Sequence, residues 1–246
     1  MSNNAPSVVF FTVTRSKDYN YLLGSIEHHA KMGRHVVLDT TMPGENPKQF
    51  RNLPPSVTWI HEPLYGSGWK EFRFVAASQR ALNAAMDMKP DVLIWLDSDE
   101  FFSESIISEV IPHALYSIVD TISIHWKKDG HPYMFGESEW HTKIWPRWVN
   151  LRVGLNLAWP VHKDYNGNPE HHAILHVNPS SSKMRVLGPY RHHLHYAIGP
   201  NRDDEDTART TIQGWAEGGK RLPDVDWPAK MDLWRSKGIE PIESFL

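Results

Sequence analysis

Residues Val92-Leu-Ile-Trp-Leu96 form an unbroken apolar run that leads straight into Asp97, Asp99 and Glu100. Five consecutive apolar residues, rich in branched and aromatic side chains, leave no polar face, so the segment reads as a strand covered on both sides. A doubly covered strand belongs to a sheet with helices above and below it, an α/β architecture. Such strands seldom end in crowded negative charge unless a cation resides there. Read as extended chain, Asp97 and Asp99 point to one side and Ser98 and Glu100 to the other. Two like carboxylates on one face repel, and a hard divalent cation with oxygen ligands relieves that repulsion. The carboxyl edge of an open α/β sheet is also where ligands usually bind. The competing reading of these residues is a solvated loop after a core strand.

The preceding ninety residues repeat the theme. Val8 to Thr14 is a buried strand ending in Thr12, Thr14, Arg15 and Ser16. A helix is expected from about 17 to 31, with Tyr19, Leu22, Leu23, Ile26 and Ala30 at helical spacing and Gly33 as its C-terminal cap. Strands follow at His35 to Asp39 and Val57 to Ile60, then a helix over 69–88 with Phe72, Val75, Ala76, Leu82 and Met86 inward. Alternating strands and helices predict βαβ units and a mostly parallel sheet. The connection rules then bring Thr12 to Arg15, Asp39 and Asp97 to Asp99 to one edge. Beyond Phe102 a helix is expected over 103–116 and a strand over 120–125, followed by a stretch dense in Trp, His, Gly and Pro. Residues 203–217 read as a helix whose opening acidic run complements its N-terminal dipole. No repeat or linker divides the 246 residues, so one domain is expected.

Composition excludes several classes. There is no cysteine, which removes disulfides, thiolate catalysis and Cys-based zinc sites. A formal net charge of -3 exerts no global pull toward nucleic acid or anionic membrane. Met1 to Ser7 lacks the basic and apolar regions of a signal peptide, and no run approaches the ~20 apolar residues of a bilayer span. A cytoplasmic protein is expected. Most of the 11 tryptophans must be core, but two or three are expected to line a site as platforms for flat or ring-shaped ligands, with Trp140, Trp145 and Trp159 the candidates.

The 15 histidines fall partly into clusters. His28-His29 lies partly on the polar side of the first helix and reads as solvated or structural. His172 and His176 would share a face only in a helix, whereas Ala173 to Val177 reads as extended. In Tyr190-Arg-His-His-Leu-His-Tyr196, an extended chain puts Arg191, His193 and His195 on one face. A cation and two imidazoles together suit a phosphate or the completion of a metal's coordination. His162 is a further candidate for that role.

The opening strand, the strand ending in Asp39, the helix through Gln79-Arg80 and the Leu96-Asp-Ser-Asp-Glu-Phe-Phe segment together resemble a glycosyltransferase of the GT-A fold, close to family 2. The resemblance is strongest over residues 8–102. It continues more weakly through Lys143-Ile-Trp-Pro-Arg147, Val161-His162 and Leu194-His195-Tyr196. It implies a single Rossmann-like domain over 1–246, with a nucleotide-binding half at about 7–102, an acceptor half at about 103–200 and a C-terminal helical extension. It implies a UDP- or GDP-sugar donor and a Mn²⁺ or Mg²⁺ ion held by Asp99 and Asp97, with Asp97 and Ser98 also near the donor. His195 is the first expected additional metal ligand and His193 the second, with Arg191 and His162 in reserve for phosphate. Thr12, Arg15 and Asp39 would hold the nucleoside and Arg80 would lie near the diphosphate. Family 2 enzymes invert the anomeric centre with a carboxylate base; the usual base motif is not evident, and Glu139 and Asp164 are the candidates.

Two other readings stand beside this one: a metal-dependent phosphohydrolase or nuclease, and a non-catalytic nucleotide-sugar-binding module. The acceptor is open among polysaccharide, lipid-linked sugar, protein and a modified DNA base. A nucleic-acid acceptor predicts a basic groove drawn from Lys127, Lys128, Lys143, Arg147, Arg152, Lys183, Arg185 and Arg191.

Overall fold

Each buried run becomes a strand in the computed structural model. It describes residues 5–15, 19–43, 53–63, 72–126, 132–136, 144–146, 157–158, 161–163, 169–171, 174–175, 184–193 and 240–241. The order is β1 (Val8–Thr14), α1 (Tyr19–His29), β2 (Arg34–Asp39), β3 (Val57–His61), α2 (Phe72–Asp87), β4 (Val92–Trp95) and β5 (Glu100–Phe102). Two short helices follow, α3 (Ile106–Glu109) and α4 (Ile111–Ala114), then β6 (Ile118–Trp126), β7 (Pro132–Gly136) and β8 (Ile144–Pro146). The remaining strands are β9 (Leu157–Ala158), β10 (Val161–Lys163), β11 (Pro169–His171), β12 (Ile174–Leu175), β13 (Met184–His193) and β14 (Glu240–Pro241).

The main sheet has ten strands in the order β14-β13-β6-β8-β4-β1-β2-β3, with β5 beside β13 and β7 beside β6. Its heart is the run β3-β2-β1-β4, parallel throughout, in which Thr14 pairs with Asp39 and Phe11 with Trp95. β8 runs antiparallel between β4 and β6, and β13 runs parallel to β6. This is the mixed, Rossmann-like α/β sheet expected from the alternating segments.

Period-two alternation assigns the two faces. Val9, Phe11, Val13, Val36, Leu38, Leu93 and Trp95 pack against Ala77, Ala81, Leu82 and Ala85 of α2. Val8, Phe10, Val92, Ile94 and Leu96 face the other way, onto Phe102 and the residues of α3 and α4. Leu22 and Ile26 of α1 cover Val37 on that second side. Fully burying each such side chain contributes about 1.5–3 kcal/mol, which is why the apolar runs dictate the layers.

Three local expectations need correction. Among the described side chains of α2 the inward stripe is Ala77, Ser78, Ala81, Leu82 and Ala85, with Met86 packed beside it. Leu82 and Met86 are as expected, Ala76 is exposed, and the side chains of Phe72 and Val75 lie outside the description. Three alanines four residues apart make a flat surface that sits close on the sheet, which the larger side chains had obscured. The helix expected over 103–116 is two short pieces meeting at Val110. Pro112 has no N–H to donate to the preceding turn and its ring crowds that turn's carbonyl, so one continuous helix cannot form. His28 and His29 are buried at 5% and 0% exposure rather than solvated. Gly33 donates its N–H to the His29 carbonyl oxygen at 3.1 Å, closing α1 as expected. What demands glycine there is space, since a Cβ would lie 2.6 Å from the Val8 carbonyl oxygen. Extended chain at Ile174–Leu175 agrees with the reading of Ala173 to Val177. The helix expected over 203–217 lies outside the described residues.

Candidate active site

The acidic segment is a turn, not a continuation of the strand. Leu96 N–H donates to the Phe11 carbonyl oxygen at 3.0 Å, the last link to β1, and the chain then folds back. Glu100 N–H donates to the Asp97 carbonyl oxygen at 3.2 Å, and Asp97 N–H donates to Glu100 Oε2 at 3.2 Å. The alternation expected of Asp97 to Glu100 is therefore lost, because a closed turn does not keep period two. Glu100 is 4% exposed and its carboxylate holds the turn shut, whereas Asp97, Ser98 and Asp99 are only partly buried.

The turn feeds β5, which pairs antiparallel with β13 so that His193 lies opposite Glu100 and Arg191 opposite Phe102. β13 reaches this position after a register shift between Leu187 and Arg191, where Gly188 and Pro189 interrupt the ladder. Arg191 and His193 share a face, as the extended reading required, and that face meets the carboxylates. Arg191 Nη1 lies 3.4 Å from Glu100 Oε1 with both side chains almost wholly buried, and His193 Nε2 lies 3.2 Å from Asp99 Oδ1. His192 points the opposite way, stacked on Phe101 at 4.7 Å and hydrogen-bonded to the Ser103 hydroxyl at 3.1 Å. Burial alone would push His193 down, yet the charge and hydrogen bond of Asp99, with Glu100 and Asp97 behind it, push it up to about 9. Three carboxylates, Asp97, Asp99 and Glu100, thus meet two basic side chains, Arg191 and His193, at this edge.

A buried Arg–Glu pair is not retained for stability alone, because desolvating two charges offsets most of their attraction. Here it orients the turn: Arg191 fixes Glu100, and Glu100 fixes the Asp97 amide. Arg191 is therefore enclosed in the fold and does not line a surface basic groove. Sequence reasoning overlooked Glu100 as a structural anchor, although its place directly after the acidic pair was the available signal.

Asp39 ends β2 beside Thr14. Its Oδ1 accepts from Thr41 N–H at 3.0 Å and from the Thr41 hydroxyl at 2.6 Å. Thr40 donates through both N–H and hydroxyl to the Thr14 carbonyl oxygen, tying the ends of β1 and β2 together. Arg15 follows at the same edge. Thr12 lies within β1 and is fully buried, its hydroxyl 2.8 Å from His35 Nε2. Arg80 sits on α2 with Nε and Nη2 each 2.9 Å from Glu62 Oε1, just past the end of β3. The structure therefore gathers Thr14, Arg15, Asp39, Asp97, Ser98, Asp99, Arg191 and His193 along one edge of neighbouring elements. His162 lies on β10 opposite Glu170, in a two-stranded ribbon outside the ten-stranded sheet. Glu139, Asp164 and His195 lie outside the described residues.

Among the described residues, no group of three or more His, Asp or Glu side chains is arranged as a metal cage. Two neighbouring carboxylates fit a different mode, in which one or two carboxylates hold Mg²⁺ or a similar ion and substrate phosphates with water complete the shell. Asp97 and Asp99 are hard oxygen donors and only partly buried, and that donor set suits such an ion. Among the described residues, no helix is long and apolar enough to cross a membrane.

No protein-family model matches the chain, and no curated protein sequence matches it. Among solved structures, the chain is similar to the galactosyltransferase LgtC in complex with donor and acceptor sugar analogues. The two are 11% identical with a TM-score of 0.36, over 93% of this chain and 99% of LgtC.

Proposed function

We propose that this protein is a metal-dependent glycosyltransferase that moves a sugar from a UDP- or GDP-sugar to an acceptor hydroxyl with inversion. The observation that carries this reading is the placement of Asp97 and Asp99. They stand in a doubly closed turn at the carboxyl edge of four parallel strands, backed by the Glu100–Arg191 pair. Transferring a glycosyl group requires charge to develop on a departing diphosphate, and stabilising that charge is the largest task of the site. Asp97 and Asp99 would hold a divalent ion, which would supply that stabilisation as a Lewis acid. The protein does the rest. Arg15 and Asp39 hold the nucleoside at the ends of β1 and β2, with Thr12 supporting that edge from inside β1 through His35. Arg80 borders the same edge through Glu62. His193, and His195 after it, answer the negative charge from the β13 side, with His162 a further phosphate contact. Glu139 or Asp164 deprotonates the acceptor, which is a hydroxyl of a polysaccharide, lipid-linked sugar, protein or modified DNA base. Its proton moves to the carboxylate while the sugar passes to the oxygen.

The test is donor turnover without acceptor. Incubated with Mn²⁺ and a UDP- or GDP-sugar, the protein should slowly release the nucleoside diphosphate, and Asp99→Asn should reduce that rate by about 100-fold. Cleavage between the phosphates instead, giving nucleoside monophosphate and sugar phosphate, would mark a phosphohydrolase. Metal-dependent binding with no release would mark a non-catalytic binding module.

A further inference from the structure

β5 is three residues long, and among the described residues only one of its edges meets another strand. Alternate residues of a strand direct their amides and carbonyls to the same edge, so Glu100 and Phe102 present theirs together. Left open, those groups would be buried without partners, which is costly. Side chains of α1 take them up. The Ser25 hydroxyl donates to the Glu100 carbonyl oxygen at 2.9 Å, and His28 Nε2–H donates to the Phe102 carbonyl oxygen at 2.7 Å. Phe102 N–H donates to His29 Nε2 at 3.0 Å. His29 Nδ1–H in turn donates to the Ser25 carbonyl oxygen at 2.7 Å, which fixes the tautomer that leaves Nε2 as an acceptor. Phe10, Phe101 and Phe102 pack around the two imidazoles. Three side chains thus replace the missing neighbouring strand.

We infer that Ser25, His28 and His29 are positioning residues for the diphosphate-metal turn, acting through β5. The inference rests on the proposed glycosyltransferase reading and deepens it. Glu100 is at once the first residue of β5, the acceptor for the Asp97 amide and the partner of Arg191, so fixing β5 from α1 fixes the turn. The turn is held from two sides: β13 grips the Glu100 side chain, and α1 grips the Glu100 and Phe102 backbone.

Two variants of His29 separate positioning from bulk stability. His29→Leu keeps the volume but leaves Phe102 N–H without an acceptor, whereas His29→Gln carries an oxygen able to reach where Nε2 lies. In hydrogen exchange well below the unfolding transition, His29→Leu should speed exchange at Phe102 and Asp97 by 10-fold or more. The Val37 amide of β2 should be unaffected, and His29→Gln should restore most of the protection. By calorimetric Mn²⁺ titration of the folded protein, His29→Leu should raise the dissociation constant about 10-fold, with His29→Gln near wild type. If His29→Leu leaves the Asp97 amide as protected as wild type, or weakens protection everywhere equally, the inference is overturned. If wild type and variants show the local exchange pattern but none binds Mn²⁺, the positioning stands and the metal-dependent reading fails instead.

Discussion

Glu100 shows how much can depend on one carboxylate outside the acidic pair itself. It accepts the Asp97 amide, touches Arg191 at 3.4 Å and begins the strand that α1 holds. Removing one partner of a buried ion pair strands the other, a change that typically costs about 3–5 kcal/mol. Arg191→Met should therefore lower stability by that amount in urea unfolding. Adding Glu100→Gln should recover part of the loss, because the stranded group is then neutral and still accepts from the Asp97 amide. If the two changes add independently, Arg191 and Glu100 do not act as a pair. At the metal edge, Asp99→Asn should weaken Mn²⁺ binding while leaving the fold intact, since Asp99 is only partly buried; circular dichroism beside the titration separates the two effects.

At the scale of elements, α1 and the start of β1 are set by close approach. Gly33→Ala would place a methyl 2.6 Å from the Val8 carbonyl oxygen. Backbone must move to accept it, and a destabilisation of about 1–3 kcal/mol is expected in denaturant unfolding. An unchanged midpoint would mean that the Gly33–Val8 approach relaxes freely. The same scale shows what could be read in advance. β1, β2 and β4 announced themselves as apolar runs ending in polar residues, and β3 by its branched core. Their parallel order follows from the helices between them. The packing face of α2 was less legible because its contact is an alanine stripe, which carries little hydrophobic signal. The division into α3 and α4 was legible in Pro112, had its missing donor been given weight. The closed turn at Asp97 to Glu100 could not be read, because it depends on Arg191, ninety residues away.

For the whole molecule, four buried histidines set the response to acid. His35 and His192 are pushed down to about 3, by burial in both cases and by the His28 charge as well for His192. His28 is lowered by burial, and His29 is lowered further by burial and by its neighbours His28 and His35. A histidine neutral in the folded chain but free to protonate when unfolded contributes stability that is complete above pH ~6.5. That stability is lost as pH falls toward the folded value. Each should add a slope approaching about 1.4 kcal/mol per pH unit below pH ~6. Urea midpoints taken from pH 7.5 to pH 4.5 should therefore fall steeply, and substituting His35 by an apolar residue should flatten the curve. A flat profile over that range would show that these imidazoles protonate without unfolding. The candidate site as a whole was half legible. Asp97, Asp99, Asp39 and the Arg191–His193 face came from strand ends and alternation, whereas the anchoring by Glu100, Ser25, His28 and His29 emerged only with the tertiary arrangement.

The central claim is that Asp97 and Asp99 receive a metal-bound diphosphate, and calorimetric titration of UDP and GDP with and without Mn²⁺ tests it most directly. One of the two should bind wild type with metal, lose at least 10-fold in affinity without it, and bind Asp99→Ala no better with metal than without. Equal affinity in the presence and absence of Mn²⁺, or undiminished metal-dependent binding by Asp99→Ala, would contradict the account.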